Sequence, residues 1–221
     1  MGRKNGQGRA PQRSRLIADR EERQSRANLA FAMFRPVAAE TAEEIYSRLR
    51  PLQQEEDIPG CVRLFDHDLH SSIVQERRMR KGLVMGFAAG FAVSSALGHL
   101  ESSLPGHGRS YIKAEVKGVN VIGRNRNTIT AQITDEAGIL PTSRQTVWHI
   151  LGGMGLNMNI DRKDHITLGN SKSGMTQTES RHIQHTVAEV LQDVPILLEP
   201  VVIEYNGQRL PLSEAKMHIC D

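Results

Sequence analysis

Residues 82–100 read GLVMGFAAGFAVSSALGHL, the most distinctive stretch of the 221-residue chain. Gly82, Gly86, Gly90, Ser94 and Gly98 recur there at every fourth position. Residues four apart lie on successive turns of one helix face, so such a stripe is a groove without bulk that another backbone can approach closely. Glycine inside a helix costs about 1 kcal/mol relative to alanine, and packing has to offset several of these penalties at once. The stretch therefore predicts a close-packed central helix, opened by Ser71 or Ser72 and stopped by Pro105-Gly106.

The same residues carry no formal charge, follow Arg77, Arg78, Arg80 and Lys81, and precede Glu101. That pattern approaches a membrane span, but four glycines, two serines and His99 dilute its apolarity. A buried helix is the preferred reading. A membrane-associated, matrix-like scaffold using residues 82–100 is the alternative.

Working toward the N-terminus, residues 15–34 suit a helix closed by Arg35-Pro36. A second helix, capped by Thr41, carries Ile45, Leu49 and Leu52 on its apolar side. Toward the C-terminus the pattern changes. Tyr111 to Ile122 and Thr128 to Thr134 alternate as a hairpin around GRNRN, with Arg124 and Arg126 at its tip. A helix from Thr142 to Leu151, a strand near His165 to Leu168, a helix from Thr176 to Val194 and a hairpin around Asn206-Gly207 follow. The expected fold is α+β: a helical N-terminal half with its close-packed central helix, then a mixed hairpin and helix half. Residues 27–221 form one globular domain in this reading.

Residues 1–26 differ in kind. Seven arginines and Lys4 stand there against three acidic residues, whereas residues 27–221 hold 20 basic and 22 acidic ones. The opening fifteen residues offer almost nothing to bury, so a disordered basic arm is expected. Its arginines can fork onto phosphate oxygens and release condensed counterions, which selects nucleic acid as partner, RNA by preference. The candidate contacts are Arg3, Lys4, Arg9, Arg13 and Arg15, extended over the body by Arg77, Arg78, Arg80, Lys81, Arg124 and Arg126.

Catalytic chemistry leaves no local motif. Gly152-Gly153-Met154-Gly155 lacks the lysine of a phosphate loop, and His182 with His185 lacks the glutamate of a zinc protease helix. Cys61, His67, His70, His218 and Cys220 are zinc-type ligands without zinc-site spacing, so no metal and no cofactor are expected. Two cysteines and no leader-like opening point to an intracellular protein, cytoplasmic or within a virus-like particle. SRQTVWHIL at residues 143–151 suits the second helix of a helix-turn-helix, with Arg144, Gln145 and His149 toward a DNA groove. That regulator is a further alternative.

With its cationic arm, near-neutral body and close-packing helix, the chain resembles viral coat and nucleocapsid proteins in general plan. The resemblance implies a non-enzymatic, self-associating protein that packages RNA.

Overall fold

The computed structural model describes residues 29–54, 58, 62–64, 68–79, 87–123, 125–153, 163–205 and 208–218. In chain order the elements are β1 (Leu29–Pro36), α1 (Ala39–Gln54), β2 (Val62–Leu64), β3 (His70–Met79), α2 (Phe87–Ser103), a 3-10 turn (Pro105–Gly108), β4 (Ile112–Ile122) and β5 (Thr128–Thr134). Then come α3 (Ile139–Gly153), β6 (His165–Ser171), α4 (Gln177–Leu191), β7 (Pro195–Leu198), β8 (Val202–Tyr205), β9 (Gln208–Pro211) and α5 (Leu212–His218). The strands make one curled sheet, a half-barrel in the order β7-β4-β5-β6-β3-β1-β8-β9, with β2 on β6. The described strand pairings are antiparallel.

A sheet-dominated molecule replaces the expected helical N-terminal half built on a close-packed central helix. Residues 70–79, read as the start of the long helix, are strand β3, and residues 29–36, read as a helix end, are strand β1. The two pair from Leu29↔Met79 to Pro36↔His70. Each strand satisfies the other's backbone groups across some forty residues of sequence, a long-range gain that local helical spacing cannot display. Helix α2 starts only at Phe87, so Gly82 and Gly86 lie outside the described residues. Within α2, a Cβ on Gly98 would meet nothing within 4 Å, and the helix buries Ala96, Leu97 and Leu100 instead.

Elsewhere the periodicities translate directly. Ile45, Leu49 and Leu52 are the buried face of α1, although Thr41 sits inside that helix and accepts from the Leu197 amide at 3.3 Å rather than capping it. The β4–β5 and β8–β9 hairpins form, and Thr176 with Glu179 makes a reciprocal capping box at the start of α4.

All five helices lie against one face of the sheet, in two apolar clusters. Ile45 and Leu49 of α1 and Ile183, Val187 and Leu191 of α4 pack on Ile129, Ile166 and Leu168. Leu97 and Leu100 of α2, Val147 and Leu151 of α3, and Leu212 and Ala215 of α5 pack on Met33, Ile73 and Ile203. Strand alternation then leaves the opposite face to polar and half-buried side chains beside the buried ring of Phe34. Among the described residues, no helix is long and apolar enough to cross a membrane.

Candidate active site

The two halves of the sheet meet where β3 lies beside β6, with Ser71 opposite Ile166. Both residues point at the helices, Ser71 at 1% and Ile166 at 0% exposure. Their chain neighbours therefore point the other way: His70 and Ser72 from β3, His165 and Thr167 from β6, all half-buried. Continued by one residue to each side, the antiparallel register of Ser71 and Ile166 sets His70 across from Thr167 and Ser72 across from His165. The histidines occupy the diagonal, with Cβ atoms about 7–8 Å apart in such a pairing. The seam thus carries a compact square of two imidazoles and two hydroxyls.

The imidazoles are held alike. His70 Nδ1 is 2.8 Å from the carbonyl oxygen of Asp68, and His165 Nδ1 is 3.0 Å from that of Lys163. A carbonyl oxygen can only accept, so Nδ1 carries the proton in each ring and, in the neutral imidazole, Nε2 is left bare. Each histidine is thereby tied to the residue two positions before it. Asp68 delivers its carbonyl from a left-handed backbone, φ 58°, which aspartate tolerates better than most residues.

Further charges brace both strands. Arg144 Nη1 is 3.0 Å from Asp164 Oδ2, in the tripeptide that carries His165. Burial raises the Asp164 carboxyl above its ordinary range against the opposing pull of Arg144. Next to Ser71 on β1, and so on the helix side, Arg35 is fully buried. Its Nη1 donates to the carbonyls of Ser110 at 2.9 Å and Glu199 at 3.0 Å. Desolvation lowers its pKa to about 10, partly countered by Asp135. Asp135 also accepts from the amides of Ile139 and Leu140, capping α3.

Gln132, opposite His165 on β5, and Asn120 on β4 continue the polar face, their amide groups 3.5 Å apart. A separate hollow lined by Glu115, Gln192, Asp193 and Pro195 holds none of the four central groups.

The sequence-derived contacts stand apart from this square. Arg3, Lys4, Arg9, Arg13, Arg15, Arg80, Lys81 and Arg124 lie outside the described residues. Arg77 and Arg78 are on β3 opposite Phe31 and Ala30, and Arg126 is exposed in the β4–β5 turn with φ 50°. Arg144 is drawn into its ion pair with Asp164, while His149 stacks edgewise on Trp148 at 5.1 Å, the tryptophan 60% exposed. The segment needed as the first helix of a helix-turn-helix is strand β5. No group of three metal-type ligands forms among the described residues.

The sequence sets His70 only among zinc-type ligands and does not associate it with His165, because the two are 95 positions apart. The available signal was a repeated triplet, His70-Ser71-Ser72 and His165-Ile166-Thr167, opening a strand in each case.

No family model matches the chain, and no curated protein matches it either. Solved structures do. Usb1 of Kluyveromyces marxianus superimposes with a TM-score of 0.52 at 8% identity, over 83% of this chain and 97% of that one. A conserved protein of unknown function from Agrobacterium tumefaciens strain C58 gives a TM-score of 0.52 at 14% identity, over 82% of each chain. At these identities the likeness concerns the fold. The expectation of a non-enzymatic protein is nevertheless corrected. The chain has the fold of Usb1 rather than a helical N-terminal half built on a close-packed central helix, and its β3–β6 seam brings together imidazole and hydroxyl groups that the sequence scatters.

Proposed function

We propose that the chain is a phosphodiesterase acting on RNA, with His70 and His165 as its general acid and base. The observation that carries this reading is the matched pair of triplets across the β3–β6 seam, each presenting one carbonyl-anchored imidazole and one hydroxyl to the same face. Phosphoryl transfer requires a proton to leave the attacking oxygen and another to reach the departing one, on opposite sides of phosphorus. Two imidazoles set diagonally are suited to that division. A neutral imidazole accepts the proton of a ribose 2′-hydroxyl as it attacks the adjacent phosphorus. The other imidazole, protonated, gives its proton to the leaving 5′-oxygen, and a 2′,3′-cyclic phosphate results. The Ser72 and Thr167 hydroxyls donate to the non-bridging oxygens, where charge builds in the transition state.

RNA fits for two reasons. Its 2′-hydroxyl is the internal nucleophile this chemistry uses, and the arm of residues 1–26 supplies arginines for phosphate contact. The start of β1 pairs with the end of β3, next to Arg77 and Arg78, which extends that cationic tract along the strand bearing His70. Self-association stays an expectation from the sequence alone.

The test is incubation of the purified full chain with a single-stranded oligoribonucleotide and its deoxy counterpart, the products weighed by mass spectrometry. Cleavage of the ribo-oligomer alone, lost in both His70→Ala and His165→Ala, is expected. Absence of turnover, or turnover indifferent to both replacements, overturns the assignment.

A further inference from the structure

We infer that Arg209, on the outer strand β9, is a positioning residue for His70, acting through Asp68 and Phe34; this rests on the reading of His70 as an acid–base group. Arg209 Nη1 is 3.1 Å from Asp68 Oδ1, and its Nε is 2.9 Å from Glu204 Oε2. Its guanidinium lies over the Phe34 ring, 5.4 Å from the centroid. Both groups that Arg209 touches in this direction also touch His70. Asp68 supplies the carbonyl that receives the Nδ1 proton, and the Phe34 ring packs against the imidazole with centroids 4.8 Å apart. One cation therefore holds the two surfaces that fix the ring's angle and its tautomer.

The contact spans 141 positions and crosses from β9, past β8 and β1, to a residue two positions ahead of β3. The contact runs across the curl of the sheet, so the clamp ties the outer edge of the half-barrel to its centre. A planar, forked guanidinium can serve two carboxylates and an aromatic face at once, which an ammonium cannot. Glu204 and then Asp68 hold the Arg209 proton more firmly than usual. On the other strand the Arg144–Asp164 pair braces the neighbourhood of His165, so the histidines are supported by separate arginines.

The experiment is long-range proton–nitrogen NMR on the full chain with 15N-labelled histidine, combined with kcat and KM on the oligoribonucleotide. In the parent, at a pH alkaline enough for both rings to be neutral, both are expected with Nδ1 protonated and Nε2 bare. In Arg209→Ala, His70 is expected to become a mixture of tautomers while His165 is unchanged, with kcat down about tenfold and KM within twofold. Asp68→Gly, which tolerates the left-handed backbone and removes the carboxymethyl side chain, should reproduce the change and serves if Arg209→Ala does not fold. An unaltered His70 tautomer in the folded variants overturns the inference, whatever happens to rate. If the parent cleaves nothing but the tautomer responds, the clamp stands and the phosphodiesterase reading fails.

Discussion

Ser71 faces Ile166 across the β3–β6 seam, both turned to the helices, and this one register fixes what the opposite face displays. His70, Ser72, His165 and Thr167 are each one residue removed from that pair. The site is a product of strand pairing rather than of a loop, so its members inherit the rigidity of the sheet centre.

Replacing either histidine should cost about 10²–10⁴-fold in kcat/KM, the usual worth of a positioned acid or base. The double variant should lose little more than the worse single one, because the two act in one step. Fully multiplicative losses would argue for independent roles.

Ser72→Ala and Thr167→Ala remove donors aimed at developing charge, and each should lower kcat by about 10²–10³-fold. Thr167→Ser keeps the hydroxyl and should retain most of the rate. Equal loss in Thr167→Ser and Thr167→Ala would place the effect in the methyl group's packing instead.

Arg35 joins the carbonyls of Ser110 and Glu199 from a fully buried position. Arg35→Ala should destabilise the fold by about 3–5 kcal/mol, since truncation strands both acceptors and opens a void. The denaturant midpoint reports it. A loss below about 1 kcal/mol would show that neither contact matters.

Burial raises the Asp164 carboxyl above its ordinary 3.8. The folded chain then holds that proton more tightly than the unfolded one, so this group's contribution to stability falls as pH rises through the window from 3.8 to the raised value. Asp164→Asn should flatten that part of the stability profile and, above that window, remove the ion pair with Arg144. Urea melts at successive acidic pH values decide the matter, and an unchanged slope would remove Asp164 from the account.

Gly98→Ala and Gly169→Ala should move stability in opposite directions. A Cβ at Gly98 meets open space, so alanine should gain about 0.5–1 kcal/mol from helix propensity. At Gly169 it would fall 2.5 Å from the Arg63 carbonyl oxygen and 2.9 Å from the Leu64 Cα, forcing β2 away at a cost of about 1–3 kcal/mol. Matching signs at the two sites would contradict these packing geometries.

Amphipathic spacing exposed α1 and α4 in the sequence, and turn chemistry marked the β4–β5 and β8–β9 hairpins, because those signals are complete within a dozen residues. Strand β3 was hidden. Its charged residues 76–78 and the apolar run beyond them extend a helical pattern, and its identity as a strand comes from β1. The site was hidden for the same reason. His70 had sequence neighbours that suggested only a metal ligand, and His165 none, until pairing put each beside the other's hydroxyl.

The alternation of β6 carries one more consequence. A single residue inserted just ahead of His165 would, if pairing slid by one step, aim Ile166 outward and drive both imidazole and threonine into the apolar interior, whereas a two-residue insertion would preserve the parity. Viable length changes in the segment preceding β6 should therefore come in even numbers wherever the strand itself absorbs them.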